Sequence, residues 1–236
     1  NVAQVPSTSS QYGAECRSCW IVKDGYKLLG VDASGLELRM LAHYMNDEEY
    51  TNEVTDGDIH TANQKAAGLK SRDQAKTFIY AFIYGAGDAK IGSVVGGGKR
   101  LGAELKKRFL DNNPSLKTLR DRVSQAAKRG YLKGLDGRKI FIRNEHAALN
   151  SLLQGGGAIV MKRALVQFYS LLKLNSYDAK IVANVHDEWQ IEVKEEIADA
   201  VGEVAVRCIS EAGDYYNMRC PLAGEYKIGE DWSETH

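Results

Sequence analysis

The apolar positions along the chain follow two periods, and the switches between them mark out its elements. At 26–32, "YKLLGVD" is an apolar run ending in an aspartate, which predicts a short buried strand. In the next stretch, "SGLELRMLAHYM", Leu36, Met40 and Leu41 recur at helical spacing, flanked by Leu38 and Met45. "DGDIHTANQKAAG" predicts a helix with Asp58 as its N-cap. "SRDQAKTFIYAFIYGAG" predicts the clearest helix, with Ser71 and Gln74 at capping-box spacing and Gly85 at its end. "GGGKR" opens a basic helix to about Asp111, and Pro114 starts another to about Arg129. "YLKGLDGRKIFIR" predicts a hairpin turning at Asp136 and Gly137. A long helix over roughly 146–172 contains three successive glycines, 155–157. Each costs about 1 kcal/mol in a helix interior, so a backbone or ligand is expected to approach closely there. Strand, tight turn and strand follow over 180–193, then an acidic helix over 195–212 and a terminal strand near 222–227.

Composition narrows the class. The 236 residues, 44% of them hydrophobic, suffice for one large domain. No apolar run reaches the length of a membrane-spanning helix. The first residues, "NVAQVPSTSSQYGAEC", lack the basic-then-apolar order of a signal peptide, and they lack an initiator Met, as a fragment or processed product would. Cys16 and Cys19 have the spacing of half a zinc site, but no second pair completes it. Free, reduced thiols and a cytoplasmic setting are therefore expected. Net charge is zero but unevenly spread. Residues 99–143 hold fourteen Lys/Arg against four acids, and residues 195–236 hold ten acids against three bases. Such asymmetry fits either a surface that faces a polyanion or two solvated helix faces.

The candidate chemistry starts at "VANVHDEWQIEV", where His186, Asp187 and Glu188 stand together in an apolar strand pair. Burying adjacent carboxylates is costly unless something offsets their charge. Asp32 likewise ends an apolar strand. Either aspartate alone reads as a solvated strand terminus. Together they suit hard cations such as Mg²⁺, which take carboxylate oxygens and can flank an in-line phosphoryl transfer. On the helix that begins near Arg72, Arg72, Lys76, Tyr80 and Tyr84 follow at intervals of four and share one face. Two cations followed by two aromatics suit a triphosphate and a base. They equally suit snorkelling cations beside a partly buried aromatic stripe. Lys90 and the surrounding glycines match neither common phosphate-loop pattern.

Three segments now combine into a resemblance. "DASGLELRMLAHY", "RDQAKTFIYAFIYG" and "VHDEWQI" resemble motifs A, B and C of the family A (DNA polymerase I-like) DNA polymerases. "GDIHT", "GLDGRKIFIR" and "HAALNSLLQGGGA" also resemble the family, in the right order, and "DASGLELR" and "LDGRK" are closest to the replicative polymerases of short-tailed phages. The resemblance implies an α+β right-hand polymerase fold, with an antiparallel palm sheet and an inserted helical fingers subdomain. The palm would take 1–57 and 131–236, and the fingers 58–130. It further implies template-directed addition of deoxynucleotides to a primer 3′ end with two Mg²⁺ ions. Asp32 and Asp187 would bind the metals, with Ala33 lending a backbone carbonyl, and Glu188 would be an accessory carboxylate. Glu37 would be the gate against a 2′-hydroxyl. His60, Arg72 and Lys76 would hold the triphosphate, with Lys76 also able to protonate the leaving pyrophosphate. Tyr80 would pack beside the incoming nucleotide, and Tyr84 and Gly85 would shape the template-base pocket. Asn150, Gln154 and His186 would touch the primer-terminal duplex.

In the family a thumb, part of the palm and usually an exonuclease precede the matched region. A fragment, or one half of a split polymerase, is therefore expected, working in the cytoplasm of a phage-infected bacterium on primer-template DNA and dNTP. A companion polypeptide or missing N-terminal portion would supply the thumb and exonuclease. The rival readings are a single-subunit RNA polymerase and a non-catalytic nucleic-acid-binding remnant.

Overall fold

The computed structural model describes residues 2–235, and these form ten α-helices and six β-strands. Two compact units divide the chain, one comprising 1–36 and 157–236, the other 37–156.

The first unit opens with α1 (Gly13–Ser18) and is built on four antiparallel strands. The strands are β1 (Tyr26–Ala33), β4 (Ala179–Val185), β5 (Glu188–Lys194) and β6 (Gly224–Gly229), in the order β4-β5-β1-β6. On one face, Leu29, Val31, Trp189 and Ile191 are fully buried. Two helices supply apolar residues to this core: the end of α9 (Ala148–Leu174) and α10 (Ala198–Tyr215). Phe168 of α9 stacks on Trp189 at 5.6 Å, and α10 buries Val201, Ala205, Cys208 and Ile209. The other face is covered too. Leu28 and Val185 pack with Trp232, and the backbone of Thr235 lies where a side chain on Gly30 would be, 2.2 Å from an added Cβ. Coverage of both faces explains why β5 buries four consecutive residues, Glu188 among them.

The second unit is helical: α2 (Leu36–Met45, which starts in the first unit), α3 (Glu48–Thr55), α4 (Ile59–Ala67), α5 (Arg72–Ile83), α6 (Asp88–Val94), α7 (Lys99–Asp111) and α8 (Pro114–Ala127). A hairpin of β2 (Tyr131–Lys133) and β3 (Lys139–Phe141) precedes α9. Phe78, Phe82 and Phe109 form its aromatic centre, with ring centroids 5.1 to 6.1 Å apart. The caps are those the sequence predicts. Asp58 accepts from the backbone N–H groups of His60 and Thr61, and Ser71 accepts from that of Gln74. The Gln74 side chain reaches back to the N–H of Lys70 rather than that of Ser71. The units part at 36/37 and 156/157. The hydroxyl of Ser115 at the start of α8 donates to Asp47, the N-cap of α3, at 2.5 Å, which ties α3 into this unit.

The three glycines of α9 do meet close neighbours, but these are side chains, not a backbone or ligand. A Cβ on Gly155 would lie 2.8 Å from Ile140, on Gly156 2.8 Å from Met40, and on Gly157 3.1 Å from Leu36.

Candidate active site

β4 and β5 build the hairpin that carries the adjacent acids. Val185 pairs with Glu188, so His186 and Asp187 make the turn. His186 has φ +56°, in the left-handed region, which costs a non-glycine residue roughly 1–2 kcal/mol. The N–H of Ala33 donates to the carbonyl of Asp187 at 3.3 Å, hooking the turn to the end of β1. Asp32 lies opposite Glu188 on one side and opposite Glu225 of β6 on the other. Opposed residues in antiparallel strands share a face, with Cβ atoms roughly 4.5–5.5 Å apart. Glu188, Asp32 and Glu225 thus form a row of carboxylates across the sheet. Asp32 also lines a cleft of about 220 Å³ with Gly30, Tyr226, Lys227 and Thr235.

The acids differ in their surroundings. Asp32 and Asp187 are half-buried, Glu225 and His186 are exposed, and Glu188 is 4% exposed. Glu188 accepts from the indole N–H of Trp232 at 2.7 Å and from the amide of Gln190. Among the described residues, no three His, Cys, Asp or Glu side chains converge as a complete ion cage. Asp32 at the end of β1 and Asp187 in the turn hooked to it are carboxylates of the kind hard cations take, such ions keeping water or phosphate in their other positions.

The helical unit carries the other candidates. The Arg72 guanidinium donates to Asp58 at 2.8 Å. Arg72 first, and then Thr61, hold the Asp58 carboxyl well below the usual carboxylate range, and Arg72 in turn is raised by Asp58. Asp58 therefore joins the start of α4 to the start of α5, bringing His60 and Arg72 into one neighbourhood. Burial pushes the His60 imidazole down, and the charges of Arg72 and Lys76 push it the same way. Its Nδ1 is buried without a hydrogen-bond partner. The His60 ring lies 6.3 Å from that of Tyr80, and Tyr80 lies 6.5 Å from Tyr84. Lys76 is exposed.

Glu37 is held by two donors on one oxygen, the Tyr84 hydroxyl and the Gln154 amide, each at 3.0 Å. Gly85 has φ +74°, and an added Cβ would lie 2.4 Å from the carbonyl of His146, so the end of α5 admits no side chain. Asn150 stands one turn before Gln154 on α9, with a buried carbonyl oxygen that lacks a partner.

The structure thus brings Asp32, Ala33, Asp187 and Glu188 together on the sheet, and His60, Arg72, Lys76 and Tyr80 together on the helices. Glu37 joins Tyr84 and Gln154. Sequence reasoning missed Glu225, Trp232 and the grip of Asp58 on Arg72. Strand register alone reveals the first. The other two are tertiary contacts with no local signal, although Asp58 was visible as a cap.

Comparisons with known proteins bear on the family and the fold. The sequence profile described as DNA polymerase family A matches residues 1–234. The DNA-directed DNA polymerases of Enterobacteria phage T3 and Escherichia phage T7 are each 43% identical over 269 residues, covering 100% of this chain and 38% of theirs. DNA polymerase I of Pseudomonas aeruginosa is 29% identical, covering 100% of this chain and 28% of its own length. The solved structure described as the POL domain of Pol1 from M. smegmatis in complex with DNA primer-template and dNTP has the same fold. Its TM-score is 0.88 at 22% identity, over 100% of this chain and 45% of that one. The chain spans 38% of the length of its phage relatives. With a family profile matched almost from end to end, the chain belongs to DNA polymerase family A.

Proposed function

We propose that this chain is the catalytic portion of a DNA-directed DNA polymerase, adding deoxynucleotides to a primer 3′ end on a DNA template. The observation that carries the reading is the hook between the motif A and motif C strands, which sets Asp187 beside Asp32 and Ala33. Residues 1–57 and 131–236 are assigned to the palm and 58–130 to the fingers. Two Mg²⁺ ions, held by Asp32, Asp187 and the Ala33 carbonyl, would supply charge stabilisation to the attacking and leaving oxygens of an in-line transfer.

The chain's own residues do the remaining work. Arg72 and Lys76 counter the charge of a triphosphate, and Lys76 donates a proton to the departing pyrophosphate. His60, neutral because its pKa is lowered, offers a hydrogen bond to a phosphate oxygen rather than a further charge. Tyr80 packs beside the sugar and base. Tyr84 and Gly85 border the template base. Asn150, Gln154 and His186 contact the primer-terminal duplex. Glu37, fixed by Tyr84 and Gln154, occupies the space that a 2′-hydroxyl would need, which favours DNA over RNA synthesis.

The phage relatives extend well beyond the matched region, and the companion we propose is the portion carrying thumb and exonuclease, in cis or as a separate polypeptide. The test is primer extension by this chain with and without the N-terminal portion of a phage relative. Template-complementary elongation with dNTPs is expected once that portion is supplied. Absence of any template-directed product in the reconstituted protein overturns the reading.

A further inference from the structure

Trp232 is 2% exposed and lies outside the three polymerase motifs, yet it is tied to the turn that carries Asp187. It shares one buried apolar cluster with Leu28 and with Val185, the last residue before the turn, and its indole N–H donates to Glu188, the first residue after it, at 2.7 Å. An indole N–H is a donor only, so this bond has one polarity and suits an ionised carboxylate. The network continues through buried partners. Thr235 donates from its hydroxyl to the Gln190 carbonyl at 2.9 Å, which orients the Gln190 amide toward Glu188. Trp232 is itself clamped. Its edge meets Trp20 at 6.0 Å, the Arg17 guanidinium lies 4.4 Å from the ring centroid, and its backbone N–H donates to the Trp20 carbonyl at 3.2 Å.

We infer that Trp232 is a positioning residue for the metal-carboxylate turn: the C-terminal segment it anchors holds Glu188 and Val185 so that the strained two-residue turn keeps Asp187 at the end of β1. The proposal rests on the polymerase reading for the purpose of that placement, not for the placement itself. A turn with a left-handed His186 has other conformations open to it and needs its flanks fixed. Glu188, buried beside the half-buried Asp32, stays in place only while donors satisfy it.

The test is hydrogen exchange over 184–190 in the whole chain, joined by steady-state kinetics in the reconstituted polymerase. Trp232→Phe keeps an apolar ring and removes the donor. Exchange across the turn should accelerate about tenfold, the loss expected for one hydrogen bond to a charged group. In a Glu188→Gln background the same substitution should accelerate it less, since a bond between neutral groups is about half as strong. Thr235→Val, a milder change, should loosen the same segment by a smaller factor and serves if Trp232→Phe does not fold. The kcat for nucleotide addition should fall by at least ~10-fold, with KM for dNTP unchanged. Exchange over 184–190 equal to wild type in both variants overturns the proposal, as does an acceleration in Trp232→Phe that is the same with Gln at 188. If the turn loosens as expected while the reconstituted protein makes no template-directed product, the polymerase reading fails and the positioning claim stands.

Discussion

Glu37 receives two hydrogen bonds on a single oxygen, so its carboxylate has little freedom to swing aside. Glu37→Ala should raise ribonucleotide incorporation relative to deoxynucleotide by ~10- to 100-fold, the range for a pocket that gains or loses a small group. Tyr84→Phe removes one of the two donors and should move selectivity the same way by only a few-fold. Competition between labelled rNTP and dNTP measures both, and unchanged selectivity in Glu37→Ala would misplace the gate. His60 offers a second residue-scale check. Its folded pKa lies below the ordinary 6.5, from burial first and then from Arg72 and Lys76. The stability tied to its neutral form is fully present above 6.5 and is lost as pH falls from there toward the folded value. Imidazole NMR shifts should titrate below 6.5 in the wild type, and Arg72→Ala should move the midpoint up without abolishing the depression. A wild-type midpoint at or above 6.5 contradicts this. Among these residues, Arg72, Lys76, Tyr80 and Tyr84 were legible because a helix writes its faces into the sequence every four residues. The donors to Glu37 and Glu188 were not, because Gln154 and Trp232 reach them across 117 and 44 residues of chain.

Elements with strong punctuation were legible to within a few residues. Asp58 and Ser71 start α4 and α5, Pro114 starts α8, and Gly137 at φ +82° turns the β2–β3 hairpin. The elements missed were α1, α3 and α6, each of at most eight residues. α3 is nearly all polar and buries only Tyr50. α6 sits among glycines that look like a loop. Those glycines have a packing purpose: an added Cβ on Gly102 would lie 1.8 Å from the carbonyl of Asp88, and one on Gly92 2.1 Å from that of Gly98. α6 and α7 therefore meet backbone to backbone. Gly102→Ala gains up to ~1 kcal/mol of helix propensity. It forces the helices apart at a cost of ~1–3 kcal/mol, so net destabilisation is expected. Denaturant unfolding that shows a midpoint equal to or above wild type would count against this packing.

At the scale of the whole molecule, charge is segregated along the sequence, and the basic run at 99–143 maps onto α7, α8 and the β2–β3 hairpin. Each DNA phosphate it neutralises should add about −0.9 to the slope of log affinity against log salt. Arg122 and Lys128 are exposed, and replacing both with Ala should make that slope shallower by about 2 if each meets a phosphate. A fluorescence-anisotropy salt series reads this, and an unchanged slope would remove these two side chains from the DNA surface. The central claim is narrower, that nucleotide addition depends on the two aspartates at the hook between β1 and the β4–β5 turn. The most direct measurement is the rate of single-nucleotide addition to a primer by the reconstituted polymerase, comparing wild type with Asp32→Ala and Asp187→Ala at matched folding. Each substitution should lower the rate by at least ~10³-fold, the scale of losing electrostatic stabilisation at a transferring phosphoryl group. A rate within about tenfold of wild type for either variant, set against that expected loss, would contradict the account.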